Sequence, residues 1–161
     1  QTNICALGKP LKTVKYKLDP INGGGNELLI QSGLTNIQSD SGWIHTGDLV
    51  MKDETGLLIW CGRKDEMIIK NGVNIYPVEI EKHLLLIAEI EEVLVTKEKH
   101  PVKGEIIIAF VKFFSGVSVS VEEINTRLRQ VMASIKVPDR IEIVSEFGYT
   151  PTGKRIKPVL N

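Results

Sequence analysis

Three short segments of the sequence carry side chains that could do chemistry, and the first is Gly-Trp-Ile-His-Thr-Gly-Asp at residues 42–48. A carboxylate such as Asp48 can accept two hydrogen bonds, and a ribose offers two neighbouring hydroxyls. Gly47 has no side chain, so a flat ligand could approach the backbone closely beside Thr46. The alternative is that Gly47-Asp48 is only a turn, because both residue types favour turns.

The second segment is Gly-Arg-Lys-Asp-Glu-Met-Ile-Ile-Lys-Asn-Gly at residues 62–72. Arg63 has a planar guanidinium group, which suits phosphate or ribose oxygens. The alternative is a solvated cluster of charges at the start of a strand, where ion pairs contribute little. The residues alone leave both interpretations open.

The third segment is Thr152-Gly153-Lys154, near the end of the chain. A lysine that follows glycine on a loop can present a mobile positive charge to developing negative charge. It is not part of a P-loop, because the upstream glycine at the required spacing is absent. The alternative is an exposed lysine of the tail.

The sequence predicts β structure around the first segment. Thr13–Leu18 alternates polar and apolar residues, as half-buried strands do. Glu27–Gln31 follows a glycine-rich turn and would pair with it as a hairpin. Trp43–Met51 and Gly56–Cys61 are two further predicted strands, joined by a turn at 53–56.

After Gly62 the pattern changes to an approximate order ββαββαβ, which is typical of a small α+β unit with helices on a sheet. Asn71-Gly72 predicts a tight turn. Pro77 predicts the first position of a helix that continues to about Ile87. A second helix is predicted over Val119–Ile135, where Ser120 and Glu123 have the spacing of a capping box.

Composition excludes several classes of protein. The 161 residues are 42% hydrophobic and 25% charged, unlike disordered, collagenous or coiled-coil chains. Twenty basic and twenty acidic residues give no net charge, which argues against nucleic acid as a partner. The longest apolar runs are too short for a transmembrane segment. Cys5 and Cys61 indicate neither a disulfide framework nor a zinc site, so we expect a reducing, cytoplasmic location.

The motifs occur in a fixed order: Gly-Trp-x-x-Thr-Gly-Asp, Asp-x-x-Gly, Gly-Arg-x-Asp, Gly-x-x-x-x-Pro-x-Glu-Ile-Glu and Pro-Thr-Gly-Lys. With this set, from about Gly8 to Lys154, the sequence resembles the C-terminal portion of the adenylate-forming enzymes. That family includes acyl-CoA synthetases, adenylation domains of peptide synthetases and luciferases. Its members make an acyl-adenylate from a carboxylic acid and MgATP, and then transfer the acyl group to a thiol of coenzyme A or of a carrier protein.

The resemblance implies roles for named residues. Asp48 would bind the ribose hydroxyls, with Thr46 in the same nucleotide-binding motif, and Arg63 would contact the nucleotide. Lys154 would be the catalytic lysine, which bridges the acyl carboxylate and the α-phosphate and stabilises charge as the new bond forms. No residue of the chain is implied as a metal ligand.

The resemblance also implies movement. Asp65 would be the hinge about which a C-terminal lid domain swings between an adenylating pose and a thioester-forming pose. Gly72 would let the pantetheine arm of coenzyme A pass close to the backbone. Residues 1–62 would then be strands of a partial β-barrel subdomain that ends the large N-terminal domain, and residues 63–161 the mobile α+β domain.

The expected function is therefore that of a C-terminal fragment of an ATP-dependent carboxylate–CoA ligase, inactive without its N-terminal domain. The alternatives are a peptide-synthetase adenylation domain that loads a carrier protein, or a non-catalytic module that binds a nucleotide or a partner. The chain starts at Gln1 without methionine, which suggests a piece of a longer protein. Two departures from the family pattern are Lys157, where an arginine is common, and a shortened segment at Thr35–Asp40.

Overall fold

The computed structural model describes residues 6–22, 25–31 and 42–159. Internal packing separates the chain into two units, Gln1–Met67 and Ile68–Asn161. Cys5, the glycine turn at 23–24 and the shortened segment at Thr35–Asp40 lie outside the described residues. The predicted domain boundary at residues 62–63 stays a prediction, because this division describes packing and not motion.

The first unit contains a five-stranded antiparallel sheet with strand order β1-β5-β4-β3-β2. Its strands are β1 (Ala6–Gly8), β2 (Lys15–Pro20), β3 (Asn26–Gln31), β4 (Ile44–Lys52) and β5 (Leu58–Arg63). Four of them were predicted, with small shifts at their ends. β1 was not, since three residues are too few to show a period of two. Within the described part of this unit, β1 and β2 are edges and the sheet is not closed into a barrel.

The second unit is the predicted α+β domain. Its elements are β6 (Ile68–Lys70), β7 (Val73–Ile75), α1 (Pro77–Leu84), β8 (Ile90–His100), β9 (Gly104–Phe113), α2 (Val121–Val131), a 3₁₀ turn (Ser134–Lys136), β10 (Arg140–Ile143), β11 (Gly148–Tyr149) and β12 (Arg155–Ile156). β8 and β9 are antiparallel, β10 joins β9 in parallel, and β6–β7 and β11–β12 are separate hairpins. The expected order of elements is confirmed, and the β11–β12 hairpin is an additional element near the end of the chain.

The central strand β9 is buried on both faces. Ile107, Ala109 and Val111 share one core with Ile80 of α1 and Leu128 of α2, so both helices cover this face. Ile106, Ile108 and Phe110 alternate with them along β9 and form a second core with Phe147 on the opposite face. Phe147 immediately precedes β11. The chain therefore enters the β11–β12 hairpin from the face of the sheet that lies opposite the helices.

Both helices are shorter than predicted. α2 ends at Val131 because Met132 has an extended backbone, with φ −142° and ψ 159°. The 3₁₀ turn that follows lets Ile135 reach the core that Ile124 also lines. Since Met132 and Ile135 keep helical spacing in the sequence, periodicity alone could not locate this break.

Candidate functional site

Arg63 connects the predicted residues of the first unit. It lies at the end of β5, directly opposite Asp48 on β4. Its Nη1 donates to the backbone oxygen of Thr46 at 2.8 Å and lies 3.4 Å from Asp48 Oδ1, and its Nε donates to Asp65 Oδ1 at 3.3 Å. The structure therefore brings together four predicted residues that are up to 19 positions apart in the sequence.

The Arg63 guanidinium remains charged in this setting. Loss of water contact would lower the pKa of Arg63, but the nearby charges of Asp48 and Asp65 raise it above its ordinary value. About a third of the side chain of Arg63 and of Asp48 is exposed, at 34% and 33%. The pair is thus both ordered and accessible to a ligand.

Asp48 has one oxygen held by the protein. Trp60 Nε1 donates to Asp48 Oδ1 at 3.1 Å, beside the contact from Arg63. No hydrogen bond to Asp48 Oδ2 occurs among the described residues, so this oxygen is available as an acceptor. A carboxylate fixed through one oxygen and open at the other can bind a diol.

Thr46 and Gly47 support this geometry from the backbone. The Thr46 hydroxyl donates to the backbone oxygen of Leu28 at 2.7 Å and accepts from the amide of Asp48 at 3.0 Å. Gly47 has φ +73°, and a Cβ there would lie 2.8 Å from Arg63 Nη2. The space that we expected to admit a flat ligand beside Gly47 is occupied by the Arg63 guanidinium.

Glu27 is a charged residue that sequence reasoning missed. Its side chain is only 3% exposed, and it accepts from Lys64 Nζ at 2.7 Å and from the amide of Gly47 at 3.3 Å. His45 Nδ1 lies 3.3 Å away. Burial alone would raise the pKa of Glu27, but the contacts with Lys64 and His45 outweigh it and lower the pKa. The available signal was its place on the apolar face of β3, two residues before the buried Leu29.

Asp65 and Gly72 lie in connecting segments. The Asp65 side chain is 74% exposed in the turn after β5. Asn71 and Gly72, with φ 50° and 77°, form the two-residue connection between β6 and β7. Positive φ at both positions is the requirement of a type I′ turn, which confirms the turn predicted from Asn-Gly.

Lys154 lies in the turn between β11 and β12 of the second unit, and its side chain is exposed. The turn is closed by a hydrogen bond from the Thr150 amide to the Lys154 oxygen at 2.8 Å, and the Thr150 hydroxyl accepts from the Lys154 amide at 3.1 Å. Lys154 Nζ forms no hydrogen bond or ion pair within the described ranges. The hairpin therefore orders the backbone of Lys154 and leaves its ammonium group available.

Two other kinds of feature are absent from the part of the chain that the structure describes. No group of three or more His, Cys, Asp or Glu side chains is placed to hold a metal ion there. Neither α1 nor α2 has the length and apolar composition that a helix needs to cross a bilayer. Cys61 is partly buried, and its Sγ donates to the backbone oxygen of Ile59 at 3.5 Å.

The chain is similar to known proteins in both sequence and fold. Residues 79–154 match the model of the AMP-binding enzyme C-terminal domain. Over 159 residues the chain is 33% identical to the crotonobetaine/carnitine–CoA ligase of Escherichia fergusonii. That alignment covers 98% of this chain and 29% of the relative, so the chain spans less than a third of that protein's length.

Solved structures share the fold. The amide bond synthetase McbA from Marinactinospora thermotolerans superposes with a TM-score of 0.81 at 26% identity, over 94% of this chain and 35% of that one. The ATP-bound MatB from Rhodopseudomonas palustris superposes with a TM-score of 0.81 at 23% identity, over 92% of this chain and 33% of that one. At this level of identity the second comparison establishes the fold alone.

Proposed function

Because this chain carries the AMP-binding enzyme C-terminal domain and corresponds to the C-terminal portion of an adenylate-forming enzyme, we propose that it belongs to an ATP-dependent carboxylate–CoA ligase. The observation that carries the proposal is the alignment of 98% of the chain with a CoA ligase. The reaction has two steps. A carboxylate first attacks the α-phosphate of ATP and releases pyrophosphate, and the thiol of coenzyme A then displaces AMP from the acyl-adenylate.

The first unit would hold the nucleotide. Asp48 Oδ2 would accept hydrogen bonds from the ribose hydroxyls, while Trp60 and Arg63 fix the other carboxylate oxygen. Arg63 would place its remaining guanidinium edge against the nucleotide, since a fork of donors suits ribose and phosphate oxygens. Thr46 would contribute by orienting the Asp48 amide. The exposed third of the Asp48 and Arg63 side chains supports this role.

The second unit would supply the catalytic lysine. Lys154 would approach the acyl carboxylate and the α-phosphate, where its charge stabilises the transition state as negative charge shifts to the bridging oxygens. Its exposed ammonium group and the ordered turn beneath it support this role. No group of three or more His, Cys, Asp or Glu side chains among the described residues is placed to hold the Mg²⁺ that accompanies ATP.

The chain would be active only together with a large N-terminal domain. None of the roles proposed for residues of this chain is selection of the acid or binding of the phosphates that leave as pyrophosphate. We propose residues 1–62 as the end of that domain and residues 63–161 as the mobile lid. Asp65 would be the hinge and Gly72 the point where the pantetheine arm passes. The isolated chain is then expected to bind partners of the reaction weakly and to catalyse neither step.

The test uses the full-length protein that contains this chain. Acid-dependent exchange of pyrophosphate into ATP is measured with crotonobetaine, carnitine, hexanoate and benzoate. Lys154→Ala should lower the exchange rate roughly a hundred- to a thousandfold, as loss of one charge-stabilising group does. Lys103→Ala is the matched control, because Lys103 is also an exposed lysine beside a positive-φ glycine in a hairpin turn. Unchanged exchange in Lys154→Ala would contradict the proposal.

A second candidate concerns the acceptor. The similarity to an amide bond synthetase favours transfer of the acyl group to an amine in place of a thiol. After adenylation is established, coenzyme A and a simple primary amine are offered separately to the enzyme-bound acyl-adenylate. Thioester formation alone supports the CoA ligase, and amide formation alone supports the second candidate.

A further inference from the structure

The β11–β12 hairpin that carries Lys154 is too small to be stable by itself. Each strand has two residues, joined by the turn at 150–154. An isolated two-stranded hairpin is marginal in water even when it is longer. The position of Lys154 must therefore be set by contacts between this hairpin and the body of its unit.

These contacts meet at Glu92, on β8. Tyr149 and Arg155 are directly opposite each other on β11 and β12. The Tyr149 hydroxyl donates to Glu92 Oε2, and Arg155 Nε lies 3.7 Å from the same oxygen. Arg155 Nη1 also donates to the backbone oxygen of Val93, the next residue of β8. One carboxylate thus holds both strands of the hairpin at the residue pair nearest the turn.

Glu92 is itself firmly placed. It lies opposite Lys112 on β9, whose Nζ is 3.0 Å from Glu92 Oε1. The hydrogen bond from Tyr149 and then that from Lys112 lower the pKa of Glu92, so the carboxylate is charged at neutral pH. Its side chain is 21% exposed. A fixed and partly buried anion is well suited to hold a small surface element.

We propose that Glu92 is a positioning residue for the adenylation step, which acts through Tyr149 and Arg155 to hold the hairpin and hence Lys154. This inference rests on the proposed role of Lys154. Lys154 immediately precedes Arg155, so a hairpin that loses its anchor also loses the orientation of the lysine backbone. Since catalysis depends on placement within fractions of an ångström, a loosened hairpin slows the step without removing the catalytic group.

The experiment compares Glu92→Gln and Tyr149→Phe in the full-length protein, with the acid of the panel that gives the fastest exchange. Both variants should lower kcat of pyrophosphate exchange roughly ten- to a hundredfold, as small misplacements do. KM for ATP should change little, because Lys154 acts on the transition state. Thioester formation from preformed acyl-adenylate and coenzyme A should be unchanged. Glu89→Gln is the matched control, because Glu89 on the same unit holds Arg127 at 3.1 Å and is 29% exposed.

The double variant Glu92→Gln/Lys154→Ala separates positioning from stability. If Glu92 acts through Lys154, the double variant should be no slower in exchange than Lys154→Ala alone. Further loss in the double variant, or equal loss in both half-reactions, would overturn the positioning role. Normal exchange in Glu92→Gln beside impaired exchange in Lys154→Ala would overturn this inference and leave the proposed function standing. Normal exchange in Lys154→Ala would overturn both.

Discussion

The position of the Arg63 side chain depends on the absence of a side chain at Gly47. Its guanidinium lies against Gly47 and reaches the backbone oxygen of Thr46 and the carboxylate of Asp48. A glycine is required at residue 47 for two reasons, its φ of +73° and the 2.8 Å that a Cβ would leave to Arg63 Nη2. The Thr-Gly-Asp motif is therefore needed to position Arg63, in addition to its proposed role in binding a ligand.

Gly47→Ala should displace Arg63 and cost stability. The positive φ alone costs about 1–2 kcal/mol for a residue with a Cβ, and the close contact with Arg63 adds to this. Urea unfolding measures the loss, and titration of the full-length protein with AMP measures nucleotide affinity. Gly56→Ala is the matched control, since Gly56 has φ +84° with its nearest contact at 3.6 Å. Equal losses in the two variants would show that Arg63 simply moves aside.

Glu27 is a buried carboxylate whose contribution depends on pH. Because contacts with Lys64 and His45 outweigh burial, the pKa of Glu27 in the folded protein lies below its ordinary value near 4.5. A group with a depressed pKa contributes stability above its unfolded pKa and loses it as the pH falls through the folded pKa. Its contribution is therefore complete at neutral pH and is lost below about pH 4.5.

Glu27→Gln should lower the free energy of unfolding by about 1.5–3 kcal/mol at pH 7, the range for a hydrogen bond to a charged group. The difference between wild type and variant should shrink as the pH falls below 4.5. Urea unfolding at a series of pH values from neutral to acid measures this. The control is Glu54→Gln, which changes an exposed carboxylate in the β4–β5 turn. A difference between wild type and Glu27→Gln that stays constant with pH would contradict the ionised state of Glu27.

Among the elements, the β6–β7 hairpin has a turn whose conformation is set by its two residues, and one of them, Gly72, has a proposed function. Its Asn71-Gly72 turn needs positive φ at both residues, which Asn and Gly tolerate best. A Cβ on Gly72 would meet nothing within 4 Å. The glycine is therefore not required by packing inside its unit, and open space beside it is compatible with the passage of a ligand.

Gly72→Ala should impair thioester formation more than adenylation, because a Cβ would enter the path proposed for the pantetheine arm. The backbone strain should also cost about 1–2 kcal/mol of stability. Gly104→Ala is a matched control, since Gly104 begins β9 directly after the β8–β9 turn, with φ +76° and equally open space. The two half-reactions and urea unfolding are measured for both variants. Identical behaviour of the two variants would show that Gly72 serves only to form its turn.

At the scale of the whole molecule, a short segment joins the two units, and each end of this segment is hydrogen-bonded to its own unit. Lys64 is held in the first unit by the Gly47 oxygen, which its amide reaches at 2.8 Å, and by the buried Glu27. Ile69 is held in the second unit, where its amide donates to Glu105 Oε2 at 2.7 Å. The exposed Asp65 lies between these anchored positions. The exposure of Asp65 in the turn between two anchored residues supports the hinge proposed at this position.

Asp65→Pro should impair thioester formation more than adenylation in the full-length protein. Proline restricts φ at residue 65 and the backbone of the residue before it, so one of the two poses becomes less accessible. Asp65→Ala is the control, because it removes the contact with Arg63 Nε but leaves the backbone free. Pyrophosphate exchange and single-turnover thioester formation are compared. Equal loss in both half-reactions for Asp65→Pro would argue against the hinge.

Much of this protein could be predicted from short stretches of sequence. The Asn71-Gly72 turn, the start of α1 at Pro77 and the Ser120 cap of α2 depend on residues close together in the chain. The Ser120 hydroxyl does accept from the Glu123 amide at 3.1 Å, although the Glu123 carboxylate binds Arg127 and does not complete the capping box. The order of the motifs likewise identified the family, because each motif is contiguous.

Tertiary structure decided the contacts between residues far apart in sequence. The register of β4 on β5 placed Arg63 against Asp48, and burial of the β3 face placed Glu27 beneath Lys64. The end of α2 and the docking of the Lys154 hairpin on Glu92 also depend on packing. Local rules specify turns, caps and periodicity, whereas register and burial depend on how the whole sheet excludes water. The proposed catalytic lysine was therefore visible in the sequence, whereas the contacts of its hairpin with Glu92 became visible only in the fold.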